Sequence, residues 1–104
     1  MIYCFDIDGT ICDGANGNYP KAHPLPDRIA AINRLYDAGH TIILHTARGS
    51  VTGEDWMDVT MAQLAGWGLK YHEMYFNKPY ADAYIDDKAH DAEEWFAKVS
   101  GTGP

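Results

Sequence analysis

The sequence lacks several features that would assign it to a broad protein class. No apolar run approaches the roughly 18 residues that a membrane-spanning helix needs, and the start, MIYCFDIDG, becomes acidic too early for a signal peptide. Two cysteines, Cys4 and Cys12, are too few for a disulfide-rich secreted scaffold and are interpreted as free thiols. Basic residues are scarce, with 8 Lys and Arg against 15 Asp and Glu and a net charge of −7. We therefore expect a cytoplasmic protein that binds neither nucleic acid nor membranes.

What remains is the composition of a small globular protein, 46% hydrophobic and 12% aromatic. A chain of 104 residues has room for one core. We expect a single domain over residues 1–100 and a frayed tail over 101–104. The loop 11–25 is interpreted either as a flexible surface connection or as a small flap over a substrate. Its polar and aromatic candidates for such a flap are Asp13, Asn16, Asn18, Tyr19, Lys21 and His23.

Short apolar runs alternate with amphipathic segments along the chain. The predicted strands are 2–6, 41–45, 70–76 and, more weakly, 82–86. The predicted helices are PDRIAAINRLYDAG, TGEDWMDVTMAQLAGWG and DAEEWFAKV, the second starting with a capping box of Thr52 and Asp55. This alternation predicts a small three-layer, Rossmann-like α/β fold, a parallel sheet with helices on both faces.

Polar residues follow each predicted strand, where such sheets bind their ligands. They are Asp6 and Asp8 after the first strand, Thr46 and Arg48 after the second, Lys78, and the pair Asp86 and Asp87 after the last. A single Asp at a strand end is ordinarily a turn or a helix cap. Because the carboxyl ends of parallel strands share one sheet edge, we expect the whole set to converge there.

This set of residues has a definite chemistry. Converging carboxylates without paired His or Cys favour Mg²⁺, which bridges to phosphate oxygens. An Asp beside the metal can attack phosphorus, and a second carboxyl two residues later can move the proton. Gly9 permits a sharp turn whose backbone N–H groups would face an anion. Arg48 is interpreted as reaching a second phosphate or a sugar, with a helix-capping or surface role as the equal alternative.

Four motifs resemble those of the haloacid dehalogenase superfamily. FDIDGT resembles its first motif, IILHTARG its second, the Lys of NKP its third and YIDD its fourth, in the right order over residues 2 to about 96. The resemblance implies a Mg²⁺-dependent phosphatase with Asp6 as nucleophile and Asp8 as general acid and base. It implies that Thr46 and Lys78 hold the phosphoryl group, within a substrate-binding set of Gly9, Thr10, Ala47, Arg48 and Lys78. It implies a metal site of Asp6, the Asp8 backbone carbonyl and the acidic pair, with Asp86 the more direct ligand and Asp87 supporting it.

More narrowly, TARG and YIDDKA resemble short, capless phosphatases of capsular or lipopolysaccharide sugar biosynthesis. The resemblance implies a small phosphorylated metabolite, such as a sugar or polyol phosphate, as substrate. A second copy of the chain could shield a site without a cap, so a homo-oligomer is also considered. Two alternatives are a phosphoacceptor signalling module similar to response-regulator receivers, whose motif order differs, and a non-catalytic phosphate-binding protein.

Overall fold

A three-stranded parallel sheet organises the protein. A computed structural model of the chain describes residues 1–14, 18–50 and 52–99, so the predicted tail 101–104 and Asn16 lie outside the described residues. The elements, in chain order, are β1 (Ile2–Phe5), a 3-10 turn (Tyr19–Lys21), α1 (Pro26–Asp37), β2 (Thr41–His45), α2 (Met57–Trp67), β3 (Glu73–Tyr75) and α3 (Ala92–Val99). The strands lie in the order β1-β2-β3, with Phe5 opposite Leu44 and His45 opposite Tyr75.

The core forms where the sheet meets the apolar stripes of its helices. Ile42 and Leu44 alternate along β2 and are fully buried, as is Ile32 of α1. On α3, Trp95 and Phe96 pack against Phe5 of β1 with ring centroids 5.3 and 5.9 Å away. These contacts fix the carboxyl ends of β1 and β2 next to each other, where the polar residues follow.

The second helix begins later than the sequence predicts. Asp55 accepts a hydrogen bond from the backbone N–H of Met57, and Thr52 accepts one from Glu54, so the predicted capping box of Thr52 and Asp55 is wrong. The chain instead turns back on itself before the helix. A Cβ atom at Gly49, whose φ is +84°, would clash with the carbonyl oxygen of Glu54. The chain makes this turn just before the region where the sequence predicts the first turn of the helix, and α2 begins at Met57.

The predicted strand over 82–86 is also wrong for the described structure. Every residue from 79 to 90 is exposed, Ile85 to 96%, and none belongs to a strand. A strand needs a neighbouring ladder, whereas Tyr84 donates a hydrogen bond to the carbonyl of Pro79 and covers Lys78 with its ring. These local contacts hold a loop beside the site, which leaves β1 as an edge strand.

The predicted small parallel α/β fold is confirmed by the three strands and three helices among residues 1–14, 18–50 and 52–99. Across residues 1–14, 18–50 and 52–99, none of the helices has the length and apolar character to cross a bilayer.

Candidate active site

Asp6 and Asp8 lie on a tight turn directly after β1. The turn is anchored by Ile7 and its carbonyl, which accepts hydrogen bonds from the N–H groups of Thr10 and Ile11. Gly9 takes a φ of +81°, as the turn requires. Its N–H donates to the carbonyl of Cys12, at 2.8 Å, so the prediction that these N–H groups face an anion is wrong for Gly9 and Thr10. The turn orients the two carboxylates, and its backbone donors are used internally.

Backbone hydrogen bonds clamp Thr46 and Lys78 together. The Thr46 N–H donates to the carbonyl of Tyr75, which extends the β2–β3 pairing, and the Lys78 N–H donates to the carbonyl of Thr46 at 3.2 Å. Thr46 is 1% exposed. The Lys78 side chain is mostly buried, and its Nζ lies 3.7 Å from Oδ2 of Asp6. The second and third motifs therefore meet the first at one sheet edge, as predicted for Asp6, Thr46 and Lys78.

The electrostatic setting of Asp6 combines burial with a nearby cation. Burial raises the pKa of Asp6 above its ordinary value, and Lys78 opposes this shift by stabilising the carboxylate. Burial lowers the pKa of His45 at the end of β2, and Lys78 lowers it further. Lys78 is therefore the nearby charge that most favours the ionised form of the partly buried Asp6.

Arg48 lies inside the protein and not at its surface, and its predicted contact with a second phosphate or a sugar stays a prediction. Its side chain is fully buried, and its guanidinium forms a two-pronged ion pair with Asp8, Nε to Oδ2 at 2.9 Å and Nη2 to Oδ1 at 2.9 Å. Its backbone N–H donates to the Thr46 hydroxyl at 3.1 Å. A surface or capping role is thus excluded, and the group that this side chain holds is the Asp8 carboxylate.

The sequence analysis missed two residues that complete this ion pair. Nη1 of Arg48 donates to Thr60 Oγ1 at 2.9 Å and to Gln63 Oε1 at 2.7 Å. Gln63 Nε2 in turn donates to the carbonyl of Tyr19 at 2.5 Å. The available signal was the position of Gln63 on the same helix face as Leu64, because a polar side chain on a buried face needs a partner.

An open cavity of about 560 Å³ lies over the turn. Among the predicted site residues, Asp6, Asp8, Thr46, Ala47 and Arg48 line it. Its outer wall is contributed by Gly14, Tyr19, Gly49, Thr52, Glu54, Trp56 and Tyr80. The ring centroids of Tyr19 and Trp56 lie 5.0 Å apart, edge to face. Part of the loop 11–25 therefore reaches the site.

The acidic pair Asp86–Asp87 is not brought to this cavity. Both residues are exposed, and Asp86 accepts a hydrogen bond from the N–H of Lys88, which lowers its pKa. Within the three described ranges, no group of three or more His, Cys, Asp or Glu is placed to hold a metal ion. The residue types suit Mg²⁺, but their placement here does not, because the chain carrying the pair is not docked on β1.

No family model matches the sequence, and no curated protein matches it significantly. Solved structures do match. An MCSG target from Vibrio cholerae superposes with a TM-score of 0.84 at 23% identity, over 92% of this chain and 87% of that one. A D,D-heptose 1,7-bisphosphate phosphatase from B. bronchiseptica, complexed with magnesium and phosphate, matches with a TM-score of 0.51 at 24% identity, over 85% of this chain and 53% of that one.

The corresponding phosphatase from Burkholderia thailandensis also matches, with a TM-score of 0.51 at 23% identity, over 72% of this chain and 51% of that one. This chain thus spans about half the length of the two heptose phosphatases. At these identities the likeness concerns the fold alone, and it confirms the predicted Rossmann-like α/β fold.

Proposed function

We propose that the protein is a phosphomonoesterase that works through an aspartyl-phosphate on Asp6. One observation carries the proposal: the Asp6 carboxylate lines an open cavity together with Asp8 and Thr46, and it lies 3.7 Å from the Lys78 ammonium. A nucleophile beside a cation, with a second carboxyl and a hydroxyl in reach, is what phosphoryl transfer requires.

The proposed reaction has two steps. An Asp6 oxygen attacks phosphorus, the bond from phosphorus to the ester oxygen breaks, and Asp8 gives its proton to the departing alkoxide. Asp8, now a carboxylate, takes a proton from water, whose oxygen attacks the same phosphorus and releases inorganic phosphate from Asp6. Lys78 offsets the charge on the phosphoryl oxygens, and Thr46 borders the position of that group.

We propose a small sugar or polyol phosphate as substrate. The cavity volume of about 560 Å³ is within the range of small-molecule sites. Aromatic side chains on its outer wall, Tyr19, Trp56 and Tyr80, offer surfaces against which a polyol could pack. The heptose bisphosphate phosphatases with the same fold support this class.

We propose Mg²⁺ as cofactor, held by Asp6, the Asp8 carbonyl and Asp86 with support from Asp87. The magnesium in the B. bronchiseptica phosphatase supports this assignment. In the described structure Asp86 is elsewhere, so metal binding would require residues 82–87 to dock on the exposed edge of β1. When bound, the ion would neutralise phosphoryl charge in addition to Lys78.

The remaining expectations are also proposals. We propose one catalytic domain over residues 1–100, in which part of the loop 11–25 acts as a flap. The position of Tyr19 on the cavity wall supports the flap.

The net charge of −7 supports partners other than nucleic acid or anionic membranes and agrees with a cytoplasmic protein. We also propose that the protein forms a homo-oligomer. In that case the phosphatase activity per molecule would depend on the protein concentration.

The function is tested by phosphate release from p-nitrophenyl phosphate and from a panel of sugar, heptose and polyol phosphates, with Mg²⁺ and with EDTA. We expect the wild type to hydrolyse the panel with Mg²⁺ and Asp6→Asn to fall to background, because the amide cannot attack phosphorus. Asp27→Asn, at an exposed position in the first turn of α1, is the matched control and should retain wild-type rates. Activity that survives in Asp6→Asn would contradict the proposal.

A further inference from the structure

The donors of the Arg48 guanidinium are all engaged within the protein. Its five N–H groups reach Asp8 from Nε and Nη2, Thr60 and Gln63 from Nη1, and the Cys12 sulfur from Nη2 at 3.9 Å. The side chain has no exposed surface. A substrate phosphate or hydroxyl would have to displace one of these partners to bind Arg48.

The planar face of Arg48 is occupied as well. The Tyr19 ring lies over the guanidinium carbon at 4.6 Å, and the Tyr19 carbonyl is held by Gln63. Meanwhile the Arg48 backbone N–H donates to Thr46 Oγ1. Arg48 therefore contacts the loop 11–25, helix α2 and the end of β2, and its guanidinium forms the ion pair with Asp8.

The two-pronged ion pair with Arg48 fixes the plane of the Asp8 carboxylate. Each carboxylate oxygen has about two lone-pair sites, and the guanidinium fork takes one on each oxygen. Oδ1 also accepts a hydrogen bond from the Cys12 thiol at 3.6 Å, so a lone-pair site on Oδ2 is left for the proton that the proposed reaction moves. We propose that Arg48 is a positioning residue, which orients Asp8 toward the leaving oxygen and does not bind the substrate. This inference rests on the proposed function.

The test compares substrates whose leaving groups differ in their need for a proton. An alkyl phosphate such as glycerol phosphate needs protonation of the departing oxygen, whereas the p-nitrophenolate of p-nitrophenyl phosphate leaves readily without it. In Arg48→Lys the charge remains and the two-pronged geometry is lost. We expect kcat on glycerol phosphate to fall about 100-fold, the effect of a displaced catalytic group, with a much smaller fall on p-nitrophenyl phosphate and little change in KM.

Two further variants keep the test decisive if Arg48→Lys folds poorly. Thr60→Val removes an acceptor that holds Arg48 while leaving Arg48 itself in place, and it should show the same leaving-group dependence in weaker form. Arg28→Lys is the matched control, because Arg28 donates to the carbonyls of Gly9 and Thr10 on the same turn without touching Asp8. Its ratio of rates on the two substrates should equal that of the wild type.

Two results would overturn the inference. A raised KM at unchanged kcat, confined to substrates with a second phosphate or sugar hydroxyls, would make Arg48 a substrate-binding residue. An equal loss on both substrates in Arg48→Lys and Thr60→Val would make it a structural residue only. A wild type that is inactive, or whose activity survives Asp6→Asn, would instead contradict the proposed function itself, so the two failures are distinguishable.

Discussion

The two acidic parts of the predicted site differ in how they are held. The Asp8–Arg48 corner, which comprises Asp8, Arg48, Thr60 and Gln63, is tied by charge-assisted hydrogen bonds of 2.7–2.9 Å from elements that already pack together. The acidic segment, residues 81–90, is exposed throughout and has no strand partner. Both carry an Asp at the end of a predicted strand, yet only the first is held by helices and strands from other parts of the chain.

The difference shows what fixes a carboxylate in this fold. Asp6 and Asp8 follow β1, whose side chains are packed by α3 and whose backbone is paired to β2, so their turn has little freedom. Asp86 follows a stretch whose only strongly β-forming residues, Tyr84 and Ile85, are both exposed. The first part of the site is therefore held by the packing and pairing of β1, whereas the second part is exposed and unpaired in the described structure.

The largest expected effect comes from replacing Asp8, the acid of the Asp8–Arg48 corner. Asp8→Asn should lower kcat about 10²- to 10⁴-fold, since general acid–base catalysis contributes that much. Binding of Mg²⁺ should persist, because the carbonyl of residue 8 and not its side chain is the proposed ligand. Steady-state phosphate release and calorimetric titration with Mg²⁺ check the two parts. Loss of Mg²⁺ binding together with kcat would show that the Asp8 side chain holds the metal.

A second experiment compares how much Arg48 and the nearby Arg28 contribute to the free energy of unfolding. Arg48→Met leaves Asp8 without its counter-ion and should destabilise the fold by about 3 kcal/mol, the lower end for a broken buried pair, since Asp8 is partly exposed. Arg28→Met, which loses hydrogen bonds to two carbonyls, should cost about 1 kcal/mol. Urea unfolding measures both. Equal losses in the two variants would mean that the corner is no more tightly held than its surroundings.

The acidic segment should gain order with Mg²⁺. At a concentration about 100 times the Kd, the ion should stabilise the protein by about 2.7 kcal/mol and increase hydrogen-exchange protection over 82–86. Asp86→Asn should abolish both effects, while Asp82→Asn, in the same exposed stretch, should retain them. A metal effect on stability that Asp86→Asn leaves intact would place the ligands elsewhere.

The smallest effect concerns the two thiols, of which Cys12 contacts Asp8 and Arg48 of the corner and Cys4 lies on the edge strand β1. Burial and the neighbouring Asp8 raise the pKa of Cys12 to about 12, so at pH 8 only about one molecule in ten thousand carries the thiolate. Cys4 on the β1 edge is exposed. Iodoacetamide followed by mass spectrometry should label Cys4 in the native protein and Cys12 only in urea, with Cys4→Ser as control. Similar labelling rates would indicate that the corner opens readily.

The sequence predicts the parts of the site that depend on neighbouring strands. The runs IYCF and TIILH are apolar enough to predict strands, so the positions of Asp6 and Thr46 at one edge follow from parallel pairing, although Ile2 and Cys4 of β1 are exposed. Lys78 follows from the same topology. The prediction of a strand over 82–86 is wrong because its apolar pattern is weak. Strand pairing also depends on distant parts of the chain, which no local sequence pattern indicates.

The role of Arg48 was beyond sequence reasoning for a different reason. Its partners Asp8 and Gln63 are 40 and 15 residues away in the chain, and no local pattern indicates which carboxylate an Arg will meet. The start of α2 was misplaced because Thr52 and Asp55 form local turns that compete with helix. Only the position of Gln63 on a buried face hinted at the network.

The central claim is that Asp6 becomes phosphorylated. Enzyme mixed rapidly with p-nitrophenyl phosphate and Mg²⁺, then quenched in acid, is analysed by peptide mass spectrometry in the wild type and in Asp8→Asn, where slow hydrolysis should let the intermediate accumulate. We expect the added mass of one phosphoryl group on the peptide that contains Asp6. Phosphate release without any phosphorylated peptide, or a phosphoryl group on Asp86 or Asp87 instead, would contradict it.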